Sequence, residues 1–375
     1  MRIGIEVQRI FRNNKHGMEI VGVELMKELQ QLDHNNQYVL FAKDGPDKDC
    51  IQETPNFKIQ TFKSLTYADW EQITLPKVIK QERLDLLHCT CNTGPVFSPV
   101  PMMLTLHDII YLENLNFKGS SYQNFGNIYR RIVVPKVVEK CEFIITVSEF
   151  EKKLIRERLE VPEEKVKVIY NGISRQFFAD IDAETITSFR QLHELPSEFM
   201  LFLGNKAPKK NTVNVVKAYT MYCRMSKNPL PLVVLDIERQ QMARVLRDLK
   251  SSWCLKNFHF PGYIQPAEMP LMYNAASIFL YPSLRESFGM PILEAMACKT
   301  PVITSNTSSM PEVAGDAALY VDPFSVEDIA KGIKLMCDNE QLRNNLVLKG
   351  QQRAKQFPWS AAATKVLELY NRIAK

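Results

Sequence analysis

Residues 286–294 read Glu286-Ser-Phe-Gly-Met-Pro-Ile-Leu-Glu294, directly after the apolar run Ile278 to Tyr281. An apolar run, a glycine-containing turn and a proline-opened apolar segment spell strand, tight turn and helix. Proline suits the first helical turn, so the helix is expected to begin near Pro291, with the amides of Phe288, Gly289 and Met290 pointing outward at its positive end. Such a terminus is an anion site. Two carboxylates flank it, and a carboxylate beside a phosphate needs neutral hydrogen-bond donors, such as sugar hydroxyls. Taken alone, the pair reads as a turn residue and a solvated helix residue.

Outward from this stretch the same grammar repeats. Short runs rich in Val, Ile, Leu and Phe alternate with helical periodicity, the pattern of parallel strands buried on both faces. Strands are expected at Ile3 to Val7, Tyr38 to Ala42, Leu84 to His88, Met102 to Leu106, Phe143 to Val147 and Val166 to Ile169, with a helix from about Met18 to Leu32. The pattern lapses between Ser174 and Ser197. It restarts at Phe199 to Leu203, Leu232 to Leu235, Ile278 to Tyr281, Val302 to Thr304 and Leu319 to Val321, and a last helix runs from Trp359 to Ile373. Two βα series in 375 residues predict an α/β chain of two Rossmann-like doubly wound domains, residues 1–176 and 177–357, with 358–375 packing back on the first.

Composition narrows the class. Apolar residues make up 45% and charged residues 24%, and the net charge is +5. That is the balance of a soluble globular protein. Glu6 and Arg9 interrupt the first apolar run, so no signal peptide is read and a cytoplasmic location is expected. The eight cysteines form no C-x-x-C pair and are expected to be reduced; Cys89-x-Cys91 has no second pair at zinc-site spacing. Nothing in the sequence calls for nucleic acid.

Further segments bear on chemistry. In Phe202-Leu-Gly-Asn-Lys-Ala-Pro-Lys-Lys-Asn211 a strand ends at a glycine and three lysines follow, at the sheet edge where ligands of doubly wound domains bind. His107 and Asp108 follow the strand at Leu104, and Gly17 precedes the first helix without the G-x-G-x-x-G of a dinucleotide site. Asp47-x-Asp49 and Asp180-x-Asp182 have the letters of a metal-diphosphate motif but lie in polar sequence without an aiming strand, so no catalytic metal is expected. The segment Phe125 to Lys140 places Arg130, Arg131, Lys136 and Lys140 among apolar residues, which suits either a solvated face or contact with an anionic membrane.

The E-x7-E spacing, together with Pro301-Val-Ile-Thr-Ser305, Ser309-Met-Pro-Glu-Val-Ala-Gly-Asp316 and Tyr320-Val-Asp-Pro323, resembles the retaining glycosyltransferases of family 4, of GT-B fold. The resemblance covers essentially the whole chain. It implies two Rossmann-like domains facing across a cleft, the first for the acceptor and the second for a nucleotide sugar, with the C-terminal helix crossing back to the first. By resemblance, Glu286 contacts donor-sugar hydroxyls, Glu294 the ribose, Lys210 the diphosphate and His107 the region of the donor sugar. Gly17, Ser287, Phe288, Gly289 and Met290 fall beside the sugar and phosphates, and Gly262 and Tyr263 line the base pocket. Asn205 stands where family members carry arginine, which leaves Lys206 or Lys209 as its substitute. The implied reaction is metal-independent hexosyl transfer from a nucleotide diphosphate sugar, as co-substrate rather than cofactor, to a glycan or lipid-linked glycan. The segments look most like bacterial mannosyltransferases of surface-polysaccharide assembly, favouring GDP-mannose over UDP-sugars, at the cytoplasmic face of the inner membrane. A nucleotide-sugar epimerase or phosphorylase on the same plan is the alternative.

Overall fold

The computed structural model describes residues 1–13, 15–64, 66–113 and 121–373, the side chains of 121–124 aside. The chain forms two compact units, one of Met1–Gly172 with Pro358–Lys375 and one of Ile173–Phe357.

The first unit is built on a seven-stranded sheet in the order β3-β2-β1-β4-β5-β6-β7, every neighbouring pair parallel. Its strands are β1 (Arg2–Glu6), β2 (Gln37–Lys43), β3 (Phe57–Phe62), β4 (Leu86–Cys89), β5 (Met102–Thr105), β6 (Phe143–Thr146) and β7 (Val166–Val168). The central strands β4 and β5 are buried at every position, as a sheet covered on both faces requires. The edge strand β3, Phe-Lys-Ile-Gln-Thr-Phe, carries polar residues on a partly solvated surface, and for that reason a search for unbroken apolar runs passes over it.

Helix α1 (Gly17–Leu32) follows β1, and a long helix α2 (Ser121–Lys140) precedes β6. The last helix, α4 (Trp359–Ile373), packs on α1 and buries Trp359, Val366, Leu369 and Tyr370 within this first unit. The Tyr370 hydroxyl lies 2.7 Å from His88 Nδ1, and His88 Nε2 lies 2.8 Å from Thr105 Oγ1, so a helix from the end of the chain is tied to the centre of the sheet. Burial, helped by nearby His107, drives the His88 pKa down to about 3 and keeps the ring neutral. Close approach fixes Gly172, where any Cβ would come within 2.6 Å of Trp359 backbone.

The second unit repeats the plan with six parallel strands in the order β10-β9-β8-β11-β12-β13. They are β8 (Met200–Leu203), β9 (Leu232–Leu235), β10 (Phe258–His259), β11 (Ile278–Tyr281), β12 (Val302–Ser305) and β13 (Ala318–Val321). Helix α3 (Met290–Ala297) lies between β11 and β12. A core of Met200, Phe202, Val216, Tyr219, Leu280, Ile303 and Ile333 fills the space between this sheet and its helices.

At the carboxyl end of β1 the first unit buries two acids. Trp70 Nε1 donates to Glu6 at 3.1 Å, while Thr93 and Tyr129 hydroxyls donate to Glu71 at 2.6 and 2.8 Å. These donors are neutral, so desolvation dominates, and with the Glu6 charge adding to it the Glu71 pKa rises to about 8. A carboxyl raised in the folded state binds its proton more tightly there than in the unfolded chain. Its contribution is therefore fully present below about pH 4.5 and is lost as pH climbs towards 8. Unfolding measured from pH 5 to pH 8.5 should show wild-type stability falling relative to Glu71→Gln, the gap reaching on the order of 2–4 kcal/mol at the alkaline end. A pH-independent gap would contradict a protonated Glu71.

Candidate active site at the switch point of the second sheet

In the second sheet the chain leaves β8 on one side towards β9 and β10, then returns on the other side with β11. The loops after β8 and β11 therefore part from two adjacent strand ends, and the crevice between them is where doubly wound sheets bind ligands. These loops are cross-tied. Leu284 N donates to Lys209 O at 2.7 Å, and Asn211 Nδ2 donates to Pro282 O at 3.0 Å and Pro323 O at 2.7 Å. Asn211 holds φ of +60°, a left-handed conformation that asparagine tolerates.

Lys210 ends the β8 loop, and its ammonium donates to Glu286 Oε1 at 2.7 Å and to the Tyr281 hydroxyl at 2.8 Å. The two charged side chains are 21% and 10% exposed, so this is a largely desolvated ion pair. Burial pushes the Glu286 pKa up, but the charges of Lys210 and Lys209 and the Lys210 hydrogen bond outweigh it, and the carboxyl stays ionised below the usual range. The backbone is clasped as firmly. Glu286 N donates to Ser308 Oγ at 3.1 Å, and the Ser308 and Ser309 hydroxyls return bonds to Glu286 O.

Past Glu286 the turn runs through buried Phe288 and Gly289 into α3. Gly289 has φ of +102°, which explains the glycine, and a Cβ there would meet Ile292 at 3.2 Å. Met290 is the first helical residue and Pro291 the second, and no side chain caps the helix start. Glu294, one turn in, keeps some surface open while its carboxyl is packed among protein atoms. Desolvation raises its pKa to about 7, with the Tyr273 hydroxyl, donating at 3.0 Å, acting against the rise. One turn thus carries an ionised acid at one end and an acid poised near neutrality at the other.

Other residues expected at the site sit as follows. Asn205 Oδ1 accepts from Ala207 N at 2.8 Å, closing a local turn, and with Lys206 it lines a hollow of about 600 Å³ together with Pro208, Ile237, Arg244 and Leu284. The second cation felt at Glu286 is Lys209. Gly262 has φ of +85°, and Tyr263 is 69% exposed. In the first unit, His107 is buried; its Nε2 lies 2.9 Å from the Thr90 carbonyl, so that nitrogen carries the proton, and burial lowers its pKa. Gly17 opens α1 with nothing within 4 Å of where a Cβ would be. Tyr273, Tyr281, Asn211, Ser308 and Ser309 support the site but escape sequence reasoning, since each is an ordinary residue until the loops meet.

The aspartate pairs have other work. Asp47 pairs with Lys15, Asp180 pairs with Lys299, and Asp182 caps a helix by accepting from Thr185 N at 2.7 Å. None of the eight cysteines is in a disulfide. Among the described residues no helix is long and apolar enough to cross a membrane.

Residues 16–177 match the family described as Glycosyltransferase Family 4, and residues 184–353 that described as Glycosyl transferases group 1. Among sequence relatives, the O-antigen chain mannosyltransferase B of Escherichia coli is 29% identical over 62% of this chain and 61% of its own length. The serotype-specific mannosyltransferase WbdA of Escherichia coli is 28% identical over 73% of this chain and 34% of its own. The chain thus spans less than two thirds of either relative. In three dimensions it is similar to Anabaena Alr3699/HepE, crystallised with UDP and glucose, at a TM-score of 0.77 and 17% identity, covering 99% of this chain and all of that one.

The Lys210–Glu286 pair is expected to be strongly coupled. Lys210→Met leaves an unpaired buried carboxylate and should cost about 3 kcal/mol in urea unfolding, most of which Lys210→Met combined with Glu286→Gln should recover. Additive single effects in that double-mutant cycle would show the two side chains to be independent.

Proposed function

The chain belongs to the glycosyltransferases, with the two doubly wound units of the GT-B fold, and on that premise we propose that it moves a hexose from a nucleotide diphosphate sugar to a glycan or lipid-linked glycan. The observation that carries the reading is the Lys210–Glu286 pair at the switch point. The diphosphate takes the opening of α3, the Lys210 ammonium and the neighbouring Lys209. Glu286, ionised, accepts from donor-sugar hydroxyls, and Glu294 accepts from the ribose. As the glycosidic bond breaks, negative charge grows on the departing phosphate, and an ammonium already fixed beside it stabilises that charge without reorganisation. The acceptor hydroxyl attacks on the face the diphosphate leaves, its proton passes to a phosphate oxygen, and configuration is retained with no enzyme nucleophile and no metal. His107, neutral, offers a hydrogen-bonding ring from the acceptor unit.

We favour GDP-mannose as donor, in bacterial surface-polysaccharide assembly, because two relatives are named as mannosyltransferases. A UDP-sugar is the second reading, supported by the UDP and glucose held by the Anabaena protein. The acceptor unit also suits peripheral contact with an anionic membrane. On α2, Phe125, Ile128 and Ile132 are exposed at helical spacing with Lys136 and Lys140, and Lys140 lies 4.1 Å over the exposed Phe97 ring. Arg130 and Arg131 are partly buried on that helix, Arg130 over the Tyr111 ring, and contribute less to such a face.

A thermal-shift panel of nucleotide sugars should give GDP-mannose the largest stabilisation. Glu286→Gln and Lys210→Ala should each lower turnover about 10²–10³-fold, and full activity in both would refute the site. Ribose hydroxyls favour the ionised form of Glu294, so donor binding should tighten about tenfold between pH 6 and pH 8, a dependence that Glu294→Gln should flatten.

A further inference from the structure

The first sheet has its own switch point, between β1 and β4, and the loops at the carboxyl edge of β1 to β3 enclose a cavity of about 220 Å³, room for some seven waters. Its lining includes Gln8, Arg9, Phe11, Arg12, Lys43 and Tyr67. Phe11 and Tyr67 are buried and give it an apolar floor. The loops are held together by backbone bonds, Lys43 N to Gln8 O at 2.9 Å and Asp47 N to Phe11 O at 3.0 Å, so the cations stand on fixed supports.

The charge balance of this cavity is one-sided. Of the acids around it, Asp44 pairs with Lys48 at 2.8 Å, and Asp47, just outside the lining, pairs with Lys15. Asp44 is itself in the lining, and both carboxylates are engaged by lysines outside it. Lys43 Nζ donates to a neutral carbonyl, Ser64 O, at 3.0 Å. Arg9 and Arg12 form no ion pair with a carboxylate among the described residues. Of the two interior acids that act on Arg9, Glu6 and Glu71, burial raises both, and Glu71 keeps its proton at neutral pH, so the interior offers the lining cations at most the Glu6 charge. Two guanidinium forks and an ammonium around one concave, partly apolar space match a tetrahedral or planar oxyanion borne on a larger group.

We propose that this cavity binds a phosphate group of the acceptor, through Arg9, Arg12 and Lys43, so that the acceptor is a phosphorylated or phosphate-linked glycan. The proposal rests on the glycosyltransferase reading above. The phosphate belongs either to a soluble sugar phosphate or to a lipid headgroup, and the apolar floor suits the carbon skeleton that carries it in both cases.

The test uses the full chain carrying Lys210→Ala, which removes the principal donor-side cation so that phosphate binding reports on the first unit. Inorganic phosphate, mannose 6-phosphate and methyl α-mannoside are titrated by calorimetry, and phosphatidylglycerol and phosphatidylcholine vesicles by sedimentation. Arg12→Ala with Lys43→Ala is the discriminating change, because both side chains are exposed and Arg9 is left in place beside the buried acids. Mannose 6-phosphate should bind at least tenfold more tightly than the uncharged mannoside, and the double change should weaken it about tenfold. Loss confined to phosphatidylglycerol vesicles would also support the cavity and identify the source as a headgroup. Unchanged binding in both arms, or equal binding of the uncharged mannoside, would overturn it. Nucleotide-sugar binding by the otherwise unaltered chain, with and without the double change, is followed alongside. Its absence in both would sink the donor reading, independently of the cavity.

Discussion

The second unit depends on one interaction, the desolvated contact between Lys210 and Glu286. A lone ammonium or a lone carboxylate in that crevice would lose hydration without compensation, and the carboxylate would take up a proton instead. Together they remain charged, and each is held to one geometry by further bonds, from Lys210 to Tyr281 and from the Glu286 backbone to Ser308 and Ser309. The parallel topology makes the contact possible. It brings the ends of β8 and β11 side by side although more than 70 residues separate the two side chains.

The same turn shows how position alone sets the ionisation of a carboxyl. Glu286 and Glu294 are chemically identical and close in sequence, yet one is held below the usual carboxylate range and the other raised to about 7. The difference is cationic: Lys210 and Lys209 face Glu286, whereas Glu294 accepts from the neutral Tyr273 hydroxyl. An acid near neutrality costs little to keep empty and becomes a strong acceptor once hydroxyls are offered to it. A fixed ion pair and an adjustable acid are complementary tools for holding the two ends of one extended polar ligand.

Much of this was legible in the sequence, because the strands that carry the site are central ones. β11 coincides with the run Ile278 to Tyr281, and β8 with Phe199 to Leu203 to within one residue, since strands buried on both faces must be apolar throughout. β3 and the two-residue β10 were missed for the converse reason, as edge strands whose composition is not dictated by burial on two faces. The turn was readable because Gly289 and Pro291 are residues chosen by backbone geometry. The surroundings of Glu286 were not, because a serine such as Ser308, with φ of +61°, acquires its role only when β11 and β12 lie in register. Asn205 shows a limit of a different kind. By resemblance its place is that of a cation, but here its side chain accepts from Ala207 N and closes a turn, while the cations felt at Glu286 are Lys210 and Lys209.

The two units also show why a shared topology does not produce a shared site. Both sheets run in the order third, second, first, fourth strand onward, and both gather cations and acids at the carboxyl edge. In the second unit the acid and the cation touch, so the crevice presents an organised ion pair. In the first unit the acids lie behind the sheet edge, hydrogen-bonded to neutral donors and driven towards protonation, while the cations stand in front of them. Separating the two signs by burial leaves that edge net positive without any excess of basic residues in the sequence around it. The overall charge of +5 is therefore a poor guide to where the protein attracts anions. What decides is which carboxyls the fold allows to ionise.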